Sequence, residues 1–208
     1  MSDRVRHSLQ YIQWLYDQNI DRSKLDNLVR AFRGIQALPP DDPNSFFRIA
    51  GYHGLPFRGP GIRNVDWWGG YCWHASVMFP VWHRAYILRF ENALRSIDGC
   101  KDVAMPFWDE LVDYQAVPIP SVLTSTTFVL DGNIIHNPLY SYSLQKTLTQ
   151  RVAVDDGTWN YSKLEGYETV RYPLSGQYCG ILATIHSLFT SSIRFSGKWR
   201  WKEWNDCP

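Results

Sequence analysis

Apolar residues recur every three or four positions in two stretches near the N-terminus, as they do on the buried face of an amphipathic helix. The first stretch contains Leu9, Ile12 and Leu15 or Tyr16, and the second contains Leu25, Leu28, Phe32 and Ile35. The second helix is expected to end before Pro39 and Pro40, because proline cannot continue the hydrogen-bond ladder of a helix. The pattern therefore predicts that the N-terminal third is helical.

A longer helix is predicted between Pro80 and Gly99. Proline suits the first turn of a helix, and glycine suits the position just after its last turn. One face between them carries His83, Ile87, Phe90 and Leu94. Because these positions are three or four apart, they share one side of the helix, and His83 is expected to begin its buried face.

The remaining segments predict long loops and little β-structure. Residues 51–70 are rich in glycine and proline, so they are expected to form a loop that carries His53. Beyond Asp109 the pattern favours loops and short strands, with two further helices predicted over residues 140–152 and 181–188. The sequence thus predicts a mainly α, single-domain protein over residues 1–208, with an atypical Trp-rich, basic tail at 190–208.

Charge and aromatic content narrow the class of protein. The 208 residues include 21 Lys and Arg against 20 Asp and Glu, which gives a formal net charge of +1. A nucleic-acid-binding protein normally shows a clear basic excess, so this class is not expected. The chain also has 10 Trp, 12 Tyr and 10 Phe. Such an aromatic content is typical of proteins that build a large, stiff-walled apolar pocket.

The sequence carries no signal for a membrane or for export. It has no apolar run of about 18 residues, so no transmembrane helix is expected. Its first residues lack the apolar segment of a secretory signal, which favours a cytoplasmic location. The four cysteines, Cys72, Cys100, Cys179 and Cys207, are widely spaced and form no CxxC pair. A disulfide framework is therefore the weaker interpretation.

Three of the six histidines form a candidate metal site. His74 and His83 bracket a stretch too apolar to face water, and His53 lies between glycines. A buried neutral imidazole needs a partner, and converging imidazoles commonly find one in a metal ion. On one straight helix His74 and His83 would face opposite ways, so the chain is expected to turn near Pro80. Three neutral nitrogen ligands suit either zinc or copper.

Cys72 precedes His74 by two residues and has more than one interpretation. Most free cysteines are small buried apolar residues. A cysteine this close to a candidate ligand is also a candidate thiolate ligand, or a covalent modifier of the neighbouring histidine.

Residues 71–86 resemble the first copper motif of the fungal tyrosinases, Y-C-x-H-x4-F-P-x-W-H-R-x-Y. The segment around His53 resembles the first ligand segment of the same family, G-x-H-G-L-P. Three later stretches resemble further family landmarks: residues 105–109, Asn137-Pro138-Leu139 and residues 170–173. The chain is thus identified by resemblance as a member of the tyrosinase, or type-3 dinuclear copper, family, with related catechol oxidases and o-aminophenol oxidases.

This resemblance implies a mainly helical fold in which a four-helix core holds two copper ions, each on three histidines. It implies that His53, His74 and His83 bind the first copper and that a thioether joins Cys72 to the His74 ring. Phe79 would form an aromatic wall of the site. The implied partners are dioxygen and a small phenol, with ortho-hydroxylation of monophenols, oxidation of o-diphenols to o-quinones, or both. These are the reactions that lead to melanin.

The second copper motif of the family, with two histidines at H-x3-H, is absent from this sequence. Only His136 and His186 remain as candidates for a second site, and neither has a histidine four positions away. The helical bundle is therefore expected to be incomplete. An alternative hypothesis is a truncated, catalytically inactive or non-enzymatic protein that binds a single metal ion. A three-histidine zinc hydrolase is a third hypothesis, which the residues flanking the motif fit poorly.

Overall fold

The computed structural model describes residues 5–53, 71, 76–108, 119–154 and 157–169, with only the backbone described in the strands at 148–154 and 157–163. The helices are α1 (Leu9–Asp17), α2 (Ser23–Ala37), α3 (Phe46–His53), α4 (Phe79–Arg95) and α5 (Ser121–Thr124). The strands are β1 (Thr127–Leu130), β2 (Asn133–His136), β3 (Leu148–Val154) and β4 (Gly157–Lys163). They form two antiparallel hairpins, β1–β2 and β3–β4. The prediction of a mainly α fold with little β-structure is confirmed.

Helix α2 lies at the centre of the core and contacts α1, α3, α4 and β1. The faces predicted from the apolar pattern are the buried ones: Leu9, Ile12 and Leu15 on α1, Leu25, Leu28, Phe32 and Ile35 on α2, and His83, Ile87, Phe90 and Leu94 on α4. Gly34 lets the chain after α4 approach α2 closely, since a Cβ at this position would lie 2.7 Å from a side-chain carbon of Ile97. Among the described residues, no helix is long and apolar enough to cross a membrane.

Two predicted boundaries differ from the structure. The glycine-rich loop was expected to begin at Gly51, but α3 continues through that buried glycine and ends at His53. Helix α4 was expected to end at Gly99, but it ends at Arg95. Gly99 instead lies in a turn closed by the hydrogen bond from the Cys100 N–H to the Ile97 carbonyl. Its backbone is left-handed with φ of 77°, a conformation that glycine adopts at little cost.

The helix predicted over residues 140–152 is wrong. Residues 148–154 form strand β3, which pairs with β4 from Leu148↔Lys163 to Val154↔Gly157. Three of its seven residues (Thr149, Val152 and Val154) are β-branched, and such side chains favour an extended backbone over a helix. The other predicted helix, over 181–188, and the tail at 190–208 lie outside the described residues.

A buried carboxylate connects α4 to the chain on both sides of the core. Glu91 is fully buried. Its Oε2 accepts hydrogen bonds from Arg6 Nε at 3.1 Å and from the backbone N–H of Met105 at 3.0 Å. A short parallel bridge between Ser8 and Phe107 continues this contact. These interactions fix the helix that carries His83 to both the N-terminal segment and residues 105–107.

Asn137 organises the segment that follows the first hairpin. It is fully buried, and its Nδ2 donates to the carbonyls of Val122 at 2.7 Å and Ser125 at 2.8 Å. Its Oδ1 accepts from the N–H of Leu139 at 2.9 Å. The Asn-Pro landmark of the sequence therefore has a structural explanation: the asparagine side chain satisfies backbone groups of α5 and its C-terminal end and of the segment that follows β2.

The turn of the β1–β2 hairpin is fixed to α2. Asp131 and Gly132 both have positive φ, 51° and 77°, as a tight two-residue hairpin turn requires. The Asp131 carboxylate accepts from Arg30 of α2 at 2.8 Å. The hairpin is thereby held against the central helix.

Candidate metal centre

Two predicted ligands meet where the end of α3 faces the first turns of α4. His53 is the last residue of α3, and His83 is the fifth residue of α4, where it begins the buried face with 4% of its surface exposed. The Nε2 atoms of the two rings are 3.3 Å apart. The structure therefore brings together two imidazole nitrogens from distant parts of the sequence.

The backbone of α4 fixes the protonation pattern of the His83 ring. Nδ1 of His83 lies 2.7 Å from the carbonyl oxygen of Phe79, one helical turn earlier. A carbonyl can only accept a hydrogen bond, so Nδ1 carries the proton. In the neutral ring Nε2 then carries the lone pair and points at His53. This arrangement, with one nitrogen donating to a carbonyl, is typical of metal-binding histidines.

The separation of the two nitrogens fits a shared metal ion. Two imidazole nitrogens bound to one ion at about 2.0–2.1 Å with a tetrahedral angle between them are about 3.3–3.4 Å apart. The observed separation of His53 Nε2 and His83 Nε2 is 3.3 Å. The donor set is neutral and nitrogen-based, which suits copper or zinc better than magnesium or calcium.

Aromatic rings surround this pair of histidines. The Phe79 ring lies 4.1 Å from the His83 ring, between centroids, and the Trp82 ring lies 5.0 Å from it. His53 contacts Trp82 at 6.0 Å and Tyr86 at 5.6 Å. The Phe79 ring therefore lies beside His83, and its role as an aromatic wall of the site stays a prediction. The contacts of Trp82 and Tyr86 with His53 were not predicted. The sequence signal for them is the four-residue spacing of two aromatic residues around His83.

The third predicted ligand, His74, and its neighbour Cys72 lie outside the described residues. Helix α4 begins only at Phe79, so the helix carrying His83 does not extend back to His74. Tyr71, three residues before His74, donates its backbone N–H to the carbonyl of Tyr52 at 2.8 Å. The segment leading to His74 therefore begins beside the residue that precedes His53. Within the described part of the chain, no three His, Cys, Asp or Glu side chains form a metal-binding group.

The two candidates for a second site are in different situations. His186 lies outside the described residues. His136 ends strand β2, and its side chain is 56% exposed. Its Nε2 is 3.0 Å from Ser141 Oγ and 3.8 Å from a carboxylate oxygen of Glu168. The Ser141 hydroxyl also donates a hydrogen bond to that carboxylate. Its participation in a second metal site remains a prediction.

One cysteine falls within the described residues. Cys100 is fully buried and forms no disulfide. Burial raises the pKa of its thiol, so the reactive thiolate is disfavoured and Cys100 acts as a core residue.

Comparisons with known proteins show the family to which the chain belongs. The family model for the common central domain of tyrosinase matches residues 43–179. The chain is 49% identical over 183 residues to a tyrosinase from Hahella sp. and 44% identical over 164 residues to a tyrosinase from Aspergillus oryzae. These matches cover 83% and 78% of this chain, but 32% and 29% of the relatives.

Among solved structures, a tyrosinase from Burkholderia thailandensis at low pH superimposes with a TM-score of 0.70 and 47% sequence identity, over 84% of this chain and 34% of the other. Fold and site thus define a helical protein in which two histidines, His53 and His83, form a candidate metal centre. The chain belongs to the tyrosinase family, and this membership implies that its metal is copper. It spans about a third of the length of these relatives.

Proposed function

We propose that this chain carries the first copper site of a tyrosinase-type oxidoreductase. The reaction would use dioxygen to hydroxylate monophenols at the ortho position, to oxidise o-diphenols to o-quinones, or to do both. The observation that carries the proposal is the 3.3 Å approach of the Nε2 atoms of His53 and His83, with the lone pair of His83 directed at His53.

We assign His53, His74 and His83 as the three ligands of this copper. The structure supports the assignment through the geometry of His53 and His83, and the sequence supports it through the placement of His74 within the copper motif. We also propose a thioether between Cys72 and His74. Such a bond would orient the His74 ring before metal binds, as hydrogen bonds to a carbonyl do for other ligands.

When bound, copper would supply the redox chemistry that lets dioxygen oxidise a phenol. The chain's own residues prepare the site in three ways. The Phe79 carbonyl keeps the lone pair of His83 on Nε2. The nearly complete burial of His83 keeps water away from that nitrogen. The Phe79 ring, beside His83, offers an apolar surface of the kind that packs against a phenol ring.

Copper bound per chain tests the assignment of ligands. After reconstitution and removal of excess metal, we expect His83→Ala and His53→Ala to lose the copper that the unmodified chain retains. His7→Ala is the matched control, since His7 contacts Tyr11 and not the site. Retention of full copper by His83→Ala would contradict the assignment.

The same measurement decides whether His136 or His186 contributes to a second site. Two coppers per chain, with one lost in His136→Ala or His186→Ala, would support a complete dinuclear centre. One copper per chain would mean that the chain holds only the first site. Oxygen uptake with catechol then tests the reaction itself. A copper-loaded chain that oxidises no catechol would contradict the proposed activity and favour the single-metal alternative.

The proposed thioether can be tested separately from activity. A peptide map of residues 71–83 should show the mass of the unmodified peptide less two hydrogens, with no free thiol at Cys72. Ready alkylation of Cys72 would exclude the bond.

A further inference from the structure

We infer that Trp82 and Tyr86 are positioning residues that hold the His53 ring in the orientation that directs its Nε2 at His83. The inference rests on the proposed function, because it takes His53 and His83 as ligands of one copper. It adds that the affinity and geometry of this site depend on an aromatic pair that donates no atom to the metal.

The two histidines are held in different ways. His83 lies inside α4 with its Nδ1 bound to the Phe79 carbonyl, so its own helix orients it. His53 is the terminal residue of α3. At a helix end the backbone loses part of its hydrogen-bond ladder, and the orientation of a terminal side chain depends more on what packs against it.

What packs against His53 is an aromatic pair from the opposite helix. Trp82 and Tyr86 are one turn apart on α4, so their side chains are neighbours on its surface. Their rings are stacked, with centroids 5.1 Å apart and an interplanar angle of 18°. The His53 ring lies 6.0 Å from Trp82, 5.6 Å from Tyr86 and 5.4 Å from His83. Three rings of α4, those of Trp82, His83 and Tyr86, therefore border the His53 imidazole.

The aromatic pair is itself fixed by the core. Tyr86 is 5% exposed, and its ring makes an edge-on contact with Phe90 at 6.2 Å. Phe90 is 1% exposed and contacts Phe32 of α2 at 5.5 Å. The orientation of His53 is thereby connected, through packed rings, to the central helix of the protein.

Loss of this packing should weaken copper binding. A side chain that rotates about χ1 moves between staggered positions 120° apart, and any such rotation would carry the His53 Nε2 away from His83. The protein would then have to reorder the ring at each binding event. Groups that orient a metal ligand without touching the metal typically change metal affinity about 10–100-fold when removed.

Copper affinity of the full chain, measured by competition with a chelator, tests the inference. We expect Tyr86→Leu and Trp82→Leu to weaken binding about tenfold or more and to alter the electron paramagnetic resonance spectrum of bound Cu(II). Tyr86→Phe and Trp82→Phe keep an aromatic ring and should remain within about threefold of the unmodified chain. Phe128→Leu is the control, since Phe128 is a buried aromatic residue that packs on Tyr16.

The outcomes separate positioning from general stability. If Phe128→Leu lowers the melting temperature as much as Tyr86→Leu does but leaves copper affinity unchanged, the inference is supported. If the two variants lose affinity equally, or if Tyr86→Leu and Trp82→Leu bind copper like the unmodified chain, it is overturned. Equal losses in Tyr86→Phe and Tyr86→Leu would also overturn it, because the ring would then not be the operative group.

A second measurement does not depend on copper. Stacked aromatic rings shift the proton resonances of a neighbouring imidazole, so the His53 ring protons of the metal-free chain should move toward unstructured values in Tyr86→Leu. An unmodified chain that binds no copper would contradict the proposed function alone. An unchanged His53 resonance in Tyr86→Leu would contradict the positioning role alone.

Discussion

The Nε2 atoms of His53 and His83 lie 3.3 Å apart, although thirty positions of sequence separate the two residues. The Phe79 carbonyl holds the proton of His83 on Nδ1, so the nitrogen that faces His53 is an acceptor. In protein prepared without metal, we expect the two rings to share a hydrogen bond in which His53 Nε2 is the donor. A metal ion would replace this hydrogen bond only after the proton leaves His53 Nε2.

This relationship predicts distinct tautomers for the two rings. Nitrogen-15 spectra of the metal-free chain should show His83 protonated at Nδ1 and His53 protonated at Nε2. Addition of a diamagnetic metal such as Zn²⁺ or Cu(I) should remove the His53 Nε2 proton and leave the His83 tautomer unchanged. A His83 ring protonated at Nε2 in the metal-free chain would refute the role given to the Phe79 carbonyl.

Removing the buried carboxylate of Glu91 should strongly destabilise the fold. Glu91→Ala leaves Arg6 and the Met105 N–H without their acceptor. Truncation of one partner of a buried ion pair typically costs about 3–5 kcal/mol. We expect a loss of this size in the free energy of unfolding, measured in urea. Arg6→Ala should cost at least as much, because it leaves the fully buried Glu91 carboxylate without its cation, and a clearly smaller loss in Arg6→Ala than in Glu91→Ala would argue against this assignment.

Asp26 should reduce stability at neutral pH. Its Oδ1 is buried and has no hydrogen-bond partner among the residues that the structure describes, and burial raises the pKa of its carboxyl despite the nearby Arg22 and Arg30. A pKa raised by folding means that the protonated form is favoured in the folded chain, and this contribution is lost as the pH rises through the folded pKa.

Asp26→Asn should therefore stabilise the protein at pH 7, by about 1 kcal/mol. The gain should shrink as the pH falls toward the range in which the carboxyl of the unmodified chain is protonated. Urea unfolding at several pH values measures this effect. The exposed Asp98 provides the control, since Asp98→Asn should leave the stability at pH 7 within about 0.5 kcal/mol of the unmodified chain. A gain in stability that grows toward acidic pH would contradict this prediction.

Asn137→Ala should destabilise the segment after the first hairpin. The variant leaves the carbonyls of Val122 and Ser125 and the N–H of Leu139 without a side-chain partner. Buried polar groups without partners cost about 1–3 kcal/mol each, so we expect a loss of about 2–4 kcal/mol, with some relief from water. Asn133→Ala is the control, because Asn133 is exposed. Similar melting temperatures for the two variants would show that Asn137 does not organise this segment.

The apolar pattern of the sequence was sufficient to predict the buried faces of α1, α2 and α4, because each of these helices buries a stripe of three or four large residues. It was not sufficient for α3, since Gly51 suggested a loop and only burial in the packed core explains a glycine inside that helix. The predicted helix over residues 140–152 is wrong because the helical pattern and the extended pattern both fit short apolar segments. The pairing with β4 decides between them.

The candidate site, too, could be predicted from the sequence only in part. The motif around residues 71–86 identified His83 and Phe79, and their positions one turn apart on a helix follow from local spacing. The approach of His53 to His83 depends on how α3 packs against α4. The contact of His83 Nδ1 with the Phe79 carbonyl is also local, since the two residues are four positions apart in α4. The contact of Trp82 and Tyr86 with His53 depends on the packing of α3 against α4, and their four-residue spacing indicates only that they share a face of the helix.

The backbone N–H of Tyr71 donates a hydrogen bond to the carbonyl of Tyr52, the residue next to His53. The rings of the two tyrosines also meet edge-on, with centroids 6.0 Å apart. A hydrogen bond and a ring contact thus anchor the first residue of the copper motif to the end of α3. The two segments that carry predicted ligands on either side of this contact therefore share one point of attachment, which exists without any metal.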